Sequence, residues 1–272
     1  MLEIEVQPRL QDPLLVIAIG GWVDAGEAGS LAASTIISQL DHARHFATYR
    51  LEELIDLQQT RPTIELIDGE TRNIIWPQLT MVAGKLGRDA VVITGPEPSL
   101  RWPQVISELV EMACDLGVRQ AFTLGGMPAM VSHRRPLPVL ATATAHSVAQ
   151  EIGATRTDYT GPTGFQTALQ VALGESGIPS VGLWVQVPHY VSGNASPTAV
   201  RALLERVREF GGLNIDLADL DGQVDAYLEK VEEGLQERPD VADLVRAIED
   251  ETTGEISGDA LATEIERFLR DQ

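Results

Sequence analysis

Two carboxylates, Asp24 and Glu97, stand in glycine-rich segments of the kind that line ligand sites. The segments are Gly20-Gly21-Trp22-Val23-Asp24-Ala25-Gly26 and Gly95-Pro96-Glu97-Pro98. Gly125-Gly126-Met127-Pro128 is a third, and Gly161-Pro162-Thr163-Gly164, before a helical stretch, is a fourth. Glycine lets backbone N–H groups approach a ligand closely, and the start of a following helix adds partial positive charge. Brought together in one cleft, Asp24 and Glu97 can serve as acid and base. Asp24 is also of the right type to cap the helix that follows it. Glycine in all four segments equally suits plain turns. The candidate cleft is therefore Gly20, Gly21, Trp22, Asp24, Glu97, Gly125, Gly126, Met127, Gly161, Thr163 and Gly164, with no catalytic role assigned among them.

Other chemistry has less support. The first glycine segment has no lysine for a phosphate loop, and its spacing misses the Gly-x-Gly-x-x-Gly dinucleotide pattern. The histidines, at 42, 45, 133, 146 and 189, form no His-x-x-x-His pair, and a single cysteine excludes a Cys-x-x-Cys pair. No metal site or cofactor is expected on that basis. Ser132-His133 and His146-Ser147 are sequence neighbours, but adjacency builds no triad, and the Gly-x-Ser-x-Gly elbow is missing. Cys114 reads as a small buried apolar residue. His133, beside Arg134 and Arg135, reads as part of an exposed loop. Trp22, Trp76, Trp102 and Trp184 are scattered and read as core or interface residues.

The elements that must position these segments alternate along the chain. Leu14 to Gly20 is short, continuously apolar and β-branched, as in a strand buried on both faces. A helix over 27–40 follows. Strands are expected at His45–Tyr49, Ala90–Thr94, Gln120–Leu124, Val139–Ala143 and Ser180–Val187. Helices are expected at Gln104–Leu116, Ala145–Ile152, Phe165–Glu175 and Thr198–Glu209. Thr63–Leu66 and Asn73–Trp76, joined through Asp68-Gly69-Glu70, read as a hairpin. The alternation predicts an α/β fold, a three-layer α/β/α arrangement with a mostly parallel sheet. Ligands in such sheets collect beyond the carboxyl ends of the strands, where the glycine segments fall.

Beyond Gly212 the character changes. Leu217, Leu220, Val224, Tyr227, Val231 and Leu235 form one apolar stripe on a helix over 216–235. Val241 to Ile248 predicts a second helix. A polar break at Thr252–Gly258 precedes a third, marked by Leu261, Ile265, Phe268 and Leu269. The expected division is a core domain over 1–212 and an acidic helical C-terminal extension over 213–272.

The 272 residues carry a net charge of −20 and are 44% hydrophobic. That composition suits a globular protein with a core that needs no disulfide. Residues 201–272 hold 20 acidic against 8 basic side chains, a net of −12. A surface this negative repels phosphate backbones, so nucleic acid is not an expected partner. The N-terminus shows no basic, apolar signal pattern, and no apolar run approaches the roughly 20 residues of a membrane span. With one cysteine, these features point to a reducing, cytoplasmic location and no membrane association.

Several segments, in this order and spacing, resemble the proteasome assembly chaperone 2 family. They are Leu15 to Gly26 with its helix, Val91-Val92-Ile93-Thr94-Gly95-Pro96-Glu97-Pro98, Thr123-Leu124-Gly125-Gly126-Met127-Pro128 and Gly161-Pro162-Thr163-Gly164-Phe165. The likeness is to bacterial, actinobacterial-type members and spans residues 14–210. It implies an α/β/α fold like that of the phosphorylase/hydrolase class and self-association, with a trimer as the expected form. Relatives in eukaryotes and archaea assist assembly of the core proteasome, so proteasome subunits, or another protein, are the implied partners. Some bacterial members are labelled ATP-grasp ligases; no lysine-bearing nucleotide loop or metal-binding acidic cluster here supports that label. Some archaeal relatives end in a hydrophobic residue, a tyrosine and one more residue that dock on the proteasome ring. The stretch Phe268-Leu269-Arg270-Asp271-Gln272 lacks that pattern, and ring docking by that device is not expected. The alternative to an assembly factor is a small-ligand binder or enzyme acting on a nucleoside-like or phosphate-bearing compound in the glycine-lined cleft.

Overall fold

A computed structural model of the chain describes residues 1–155 and 159–251. The break at 252–258, the third C-terminal helix and the residues 268–272 lie outside the described residues. The chain begins with β1 (Leu2–Ile4), β2 (Leu14–Gly20), α1 (Ala28–Gln39) and β3 (Asp41–Arg50). There follow β4 (Thr63–Ile67), β5 (Glu70–Ile75), β6 (Gln78–Leu86), β7 (Arg88–Pro96) and α2 (Trp102–Asp115). Next come β8 (Gln120–Ala129), β9 (Val139–Ala143), α3 (His146–Glu151), α4 (Phe165–Glu175) and β10 (Ser180–Pro188). Three helices close the described chain: α5 (Pro197–Gly211), α6 (Ala218–Glu237) and α7 (Pro239–Glu251).

Eight strands form one sheet in the order β1-β3-β6-β7-β2-β8-β10-β9. The four middle strands, β7, β2, β8 and β10, run parallel. Antiparallel strands extend the sheet on both sides. On one side the cause is local. Only Gly87, with φ of 80°, separates β6 from β7, and so short a link demands an antiparallel pair. β6 was not among the expected strands, although Leu79, Met81 and Ala83 alternate into the core.

The central strand shows how the layers hold together. Leu14, Val16 and Ala18 join an apolar cluster with α1 and α5. Leu15, Ile17 and Ile19 join the opposite cluster with α2 and α4. All six are at most 4% exposed, and each of the five Leu, Val and Ile side chains so buried contributes about 1.5–3 kcal/mol. The alternation produces three layers. α1 turns its small residues, Ala28, Gly29, Ala32 and Ala33, to the sheet. α5 begins with Ser196 accepting from Ala199 N–H and with Pro197 at its first position, and it stops at Gly212 with φ of 68°. Leu213, Ile215, Leu217 and Leu220 then belong to the same apolar cluster as α1 and α5. α6 packs on α5, and α7 on α6.

Because the middle strands are parallel and in register, their carboxyl ends share one edge. Gly20 pairs with Pro96 and Ile19 with Gly95, while Trp184 of β10 lies opposite Gly125 of β8.

Candidate functional site

The four glycine segments do converge, though not all as loops. Gly125, Gly126 and Met127 continue β8 as strand through Ala129, rather than closing it at Leu124 as expected. The segment after β2 lies alongside them. Gly126 N–H donates to Val23 O at 2.8 Å, and Asp24 bridges Gly126 in parallel fashion. A Cβ on Gly126 would sit 2.3 Å from Ala25 O, so this close backbone approach requires glycine.

Each carboxylate is engaged at a helix start. Asp24 Oδ1 accepts from Gly29 N–H at 2.8 Å and Ser30 N–H at 3.3 Å, and the Ser30 hydroxyl donates to Oδ2. Capping, one of the two roles its type allowed, is the one seen. Glu97 Oε1 accepts from Phe165 N–H at 2.6 Å, the first residue of α4. Glu97 N–H in turn donates to Gly20 O at 3.0 Å. Burial raises the pKa of Glu97, and the Phe165 N–H bond opposes that rise. Both groups meet the positive end of a helix dipole.

Gln166 is the residue that sequence reasoning missed here. β2 and β8 stay paired only as far as Ile17 and Thr123. Beyond that point they part, and Ile19 N–H and Leu124 C=O lose their strand partners. The Gln166 amide, 1% exposed, accepts from Ile19 N–H at 2.7 Å and donates to Leu124 O at 3.0 Å. A glutamine on a helix carries no sequence mark of such a role.

A cavity of about 190 Å³ opens in front of this frame. Trp22, Met127, Leu140, Tyr159, Thr163 and Trp184 are among its walls, with Gly164 at its back. Four of the expected residues thus line it: Trp22, Met127, Thr163 and Gly164. Gly20, Gly21, Asp24, Glu97, Gly125 and Gly126 form the scaffold behind. Gly161 packs beside the Tyr159 ring, whose hydroxyl donates to Pro162 O at 2.9 Å. The described walls are aromatic, aliphatic and hydroxyl-bearing.

A second polar cluster sits where α6 and α7 meet the core. His133, expected in an exposed loop, is 4% exposed. Its neighbours Arg134 and Arg135 suggested solvent, but helices about a hundred residues downstream cover it. Tyr190 Oη accepts from His133 N–H at 3.0 Å and lies 2.7 Å from Nδ1. Its proton therefore goes to Nδ1, leaving Nε2–H to donate to Glu232 at 3.0 Å. Arg134 grips both Glu232 oxygens, at 2.6 and 2.9 Å, and reaches Glu249 at 3.3 Å. Ser132 Oγ donates to Glu249 at 2.8 Å. Burial lowers the pKa of His133 despite Glu232, and Arg134 holds Glu232 down to about 2. A groove of about 670 Å³, walled by Tyr190, Tyr227, Val231 and Leu235 among others, runs alongside. Cys114, expected to be buried, is exposed on α2. Among the described residues no three His, Cys, Asp or Glu side chains lie close enough to hold a metal. No helix among them is long and apolar enough to cross a membrane.

Fold and site together define an α/β/α protein with a parallel sheet centre, a glycine-framed edge and helices appended to one layer. The PAC2 family model matches residues 18–235, and the chain belongs to that family. The Mycobacterium tuberculosis proteasome-assembly chaperone homologue Rv2125 is 34% identical over 85% of this chain and 99% of its own, with a TM-score of 0.78. A PAC2 family protein from Streptomyces avermitilis is 35% identical over 82% of this chain and 95% of its own, with a TM-score of 0.76. Rv2714 of M. tuberculosis, described as of unknown function, is 30% identical over 100% and 96%, with a TM-score of 0.88. Among curated proteins none matches the chain.

Proposed function

We propose that this chain is a cytoplasmic protein-interaction and assembly factor that works as a homo-oligomer, a trimer in the form the family resemblance suggests, with proteasome subunits as its partner class. The observation that carries the reading is how the candidate carboxylates are used. Asp24 and Glu97 both accept backbone N–H groups at helix starts, and neither is among the walls of the cavity before them. The site reads as a brace for the sheet edge. The relationship to Rv2125, described as a proteasome-assembly chaperone homologue, supplies the partner class. The acidic side chains of α6 and α7 give a charged surface beside the core for a basic partner. Affinity capture of the tagged chain from native extract tests this. Co-recovery of core proteasome subunits is expected, and recovery of the chain's own oligomer alone counts against the chaperone role.

A second reading has one observation in its favour, the 190 Å³ cavity at the strand ends. Its aromatic and threonine walls suit an uncharged ring, such as the base of a nucleoside, better than a phosphate. A thermal-shift series with nucleosides, nucleotides and phosphate separates these, because a ligand of the folded state raises its stability. A shift with nucleosides supports the reading, and no shift with any of them removes it.

A further inference from the structure

The groove beside α6 follows one face of that helix. Gln223, Tyr227, Lys230 and Gly234 line it at intervals of three and four, and Arg238, the C-cap, closes the row. An α-helix rises about 22 Å over that stretch. The rest of the wall comes largely from the segment between β10 and α5, with Tyr190, Asn194 and Pro197. Gly234 has open space where a Cβ would stand. Packing within the chain therefore does not require glycine there, although glycine weakens a helix interior relative to alanine. It leaves a notch in the wall. Charge is distributed just as unevenly. α6 carries seven acidic side chains and one lysine, Lys230. Among the described residues no wall of the groove is acidic, so all seven lie off it, while Lys230 lies on it. Glu232 turns to His133 and Arg134, and Arg238 pairs with Asp240. Lys230 has no ion-pair partner among the described residues.

From these features we infer that the groove is a docking site for a peptide segment of a partner protein, apolar on both sides of a central carboxylate side chain. This goes beyond the assembly-factor reading, since such a groove takes such a segment whether or not its owner is a proteasome subunit. Length, the position of the charge and the polar groups select the occupant. An extended chain advances about 3.3 Å per residue, so a groove of about 22 Å matches roughly six or seven residues. Lys230 stands at the middle of the row, seven residues from Gln223 and eight from Arg238. Its ammonium, set among the apolar side chains of Val231, Leu235 and Val241, favours one carboxylate at that point. A free fatty acid carries its carboxylate at one end, so with that end on Lys230 its tail fills only half of the groove. Asn194 and Gln223 carry the donor and acceptor groups of an amide, which a peptide backbone can pair and an acyl chain cannot. Tyr190 and Tyr227 add the rigid aromatic surface on which interfaces concentrate their energy. A basic segment would be repelled by Lys230 and drawn instead to the acidic faces of α6 and α7.

Panning a phage-displayed library of random heptapeptides on the full chain tests the inference, followed by fluorescence anisotropy of the most enriched peptide made synthetically. The enriched sequences should share an aspartate or glutamate near the middle, with leucine, isoleucine, valine or phenylalanine on either side. Two exposed positions supply variants. Lys230→Glu reverses the charge, and Gly234→Leu fills the notch from a position whose Cβ meets nothing in the chain. Both should keep the wild-type circular dichroism and thermal midpoint, and each should weaken peptide binding roughly tenfold or more. An arm without variants uses the chain's two lysines, Lys85 and Lys230, both exposed. Saturating peptide should shield Lys230 from acetic anhydride while Lys85 reacts as before. A library that yields no enrichment, or enriched peptides that lack an acid, overturns the inference. So does a peptide that binds both folded variants as tightly as the wild type, or one that leaves Lys230 open to the reagent. Palmitate that shields Lys230 where no peptide does would assign the groove to a fatty acid, and overturns it too.

Discussion

Asp24, Glu97 and Gln166 occupy one edge of the sheet, and each accepts a backbone N–H there. Asp24→Ala should cost about 1 kcal/mol through loss of the cap, while Asp24→Asn, which keeps an acceptor, should cost much less. Gln166→Leu leaves Ile19 N–H and Leu124 C=O buried without partners, and should cost about 2–4 kcal/mol. Urea unfolding of the three variants checks both orderings. Glu97 follows the opposite pH sense from a paired surface carboxylate. Its pKa is raised on folding, so its contribution is present at low pH and lost as the pH climbs through the folded value. At this scale the sequence was informative about residue type and silent about partners. An aspartate before a small-residue helix announces a cap. Nothing in Phe165-Gln166-Thr167 announces that the glutamine closes a split between two strands, because that split exists only once the sheet is built.

Besides the packing of α6 on α5, the polar attachment of α6 and α7 to the core runs through the short segment 132–135. Arg134→Ala should remove the link that Glu232 and Glu249 share, leaving His133 on the first and Ser132 on the second. Amides of α6 and α7 should then exchange faster while those of β2 stay as protected as before, as exchange mass spectrometry would show. Acid should act in the same direction. His133 is held neutral by burial, so a detached His133 binds a proton more readily, and attachment weakens as the pH falls below the ordinary histidine value of 6.5. Glu232 adds a further loss between its ordinary 4.5 and about 2. A Gln at position 133 should flatten the first of these two steps in a plot of thermal midpoint against pH. Elements whose signal is local could be read from the chain alone. β2 shows as an unbroken apolar run, and the β4–β5 ribbon as two β-rich runs about Asp68-Gly69. β6 did not show, because its alternation sits among Thr80, Val82 and Gly84 and its strand character comes from pairing with β3 and β7. His133 was misjudged for the same reason, since its burial is supplied by helices distant in sequence.

At the scale of the whole molecule, charge and apolar surface are segregated. The acid is concentrated beyond residue 200, and among the described residues the exposed aliphatic side chains are concentrated on one ribbon. Added salt should therefore tighten association between copies by screening their repulsion, and loosen any complex with a basic partner. Parallel sedimentation runs at low and high ionic strength distinguish the two. The account makes the chain a factor that acts through surfaces, with its glycine-framed edge serving as internal bracing. The most direct measurement is a time course of core proteasome assembly from purified subunits, resolved on native gels with and without the chain at equal molarity. The account predicts faster appearance of the full particle and migration of the chain with a partly assembled intermediate. Identical time courses, with the chain running only as its own oligomer, would contradict it.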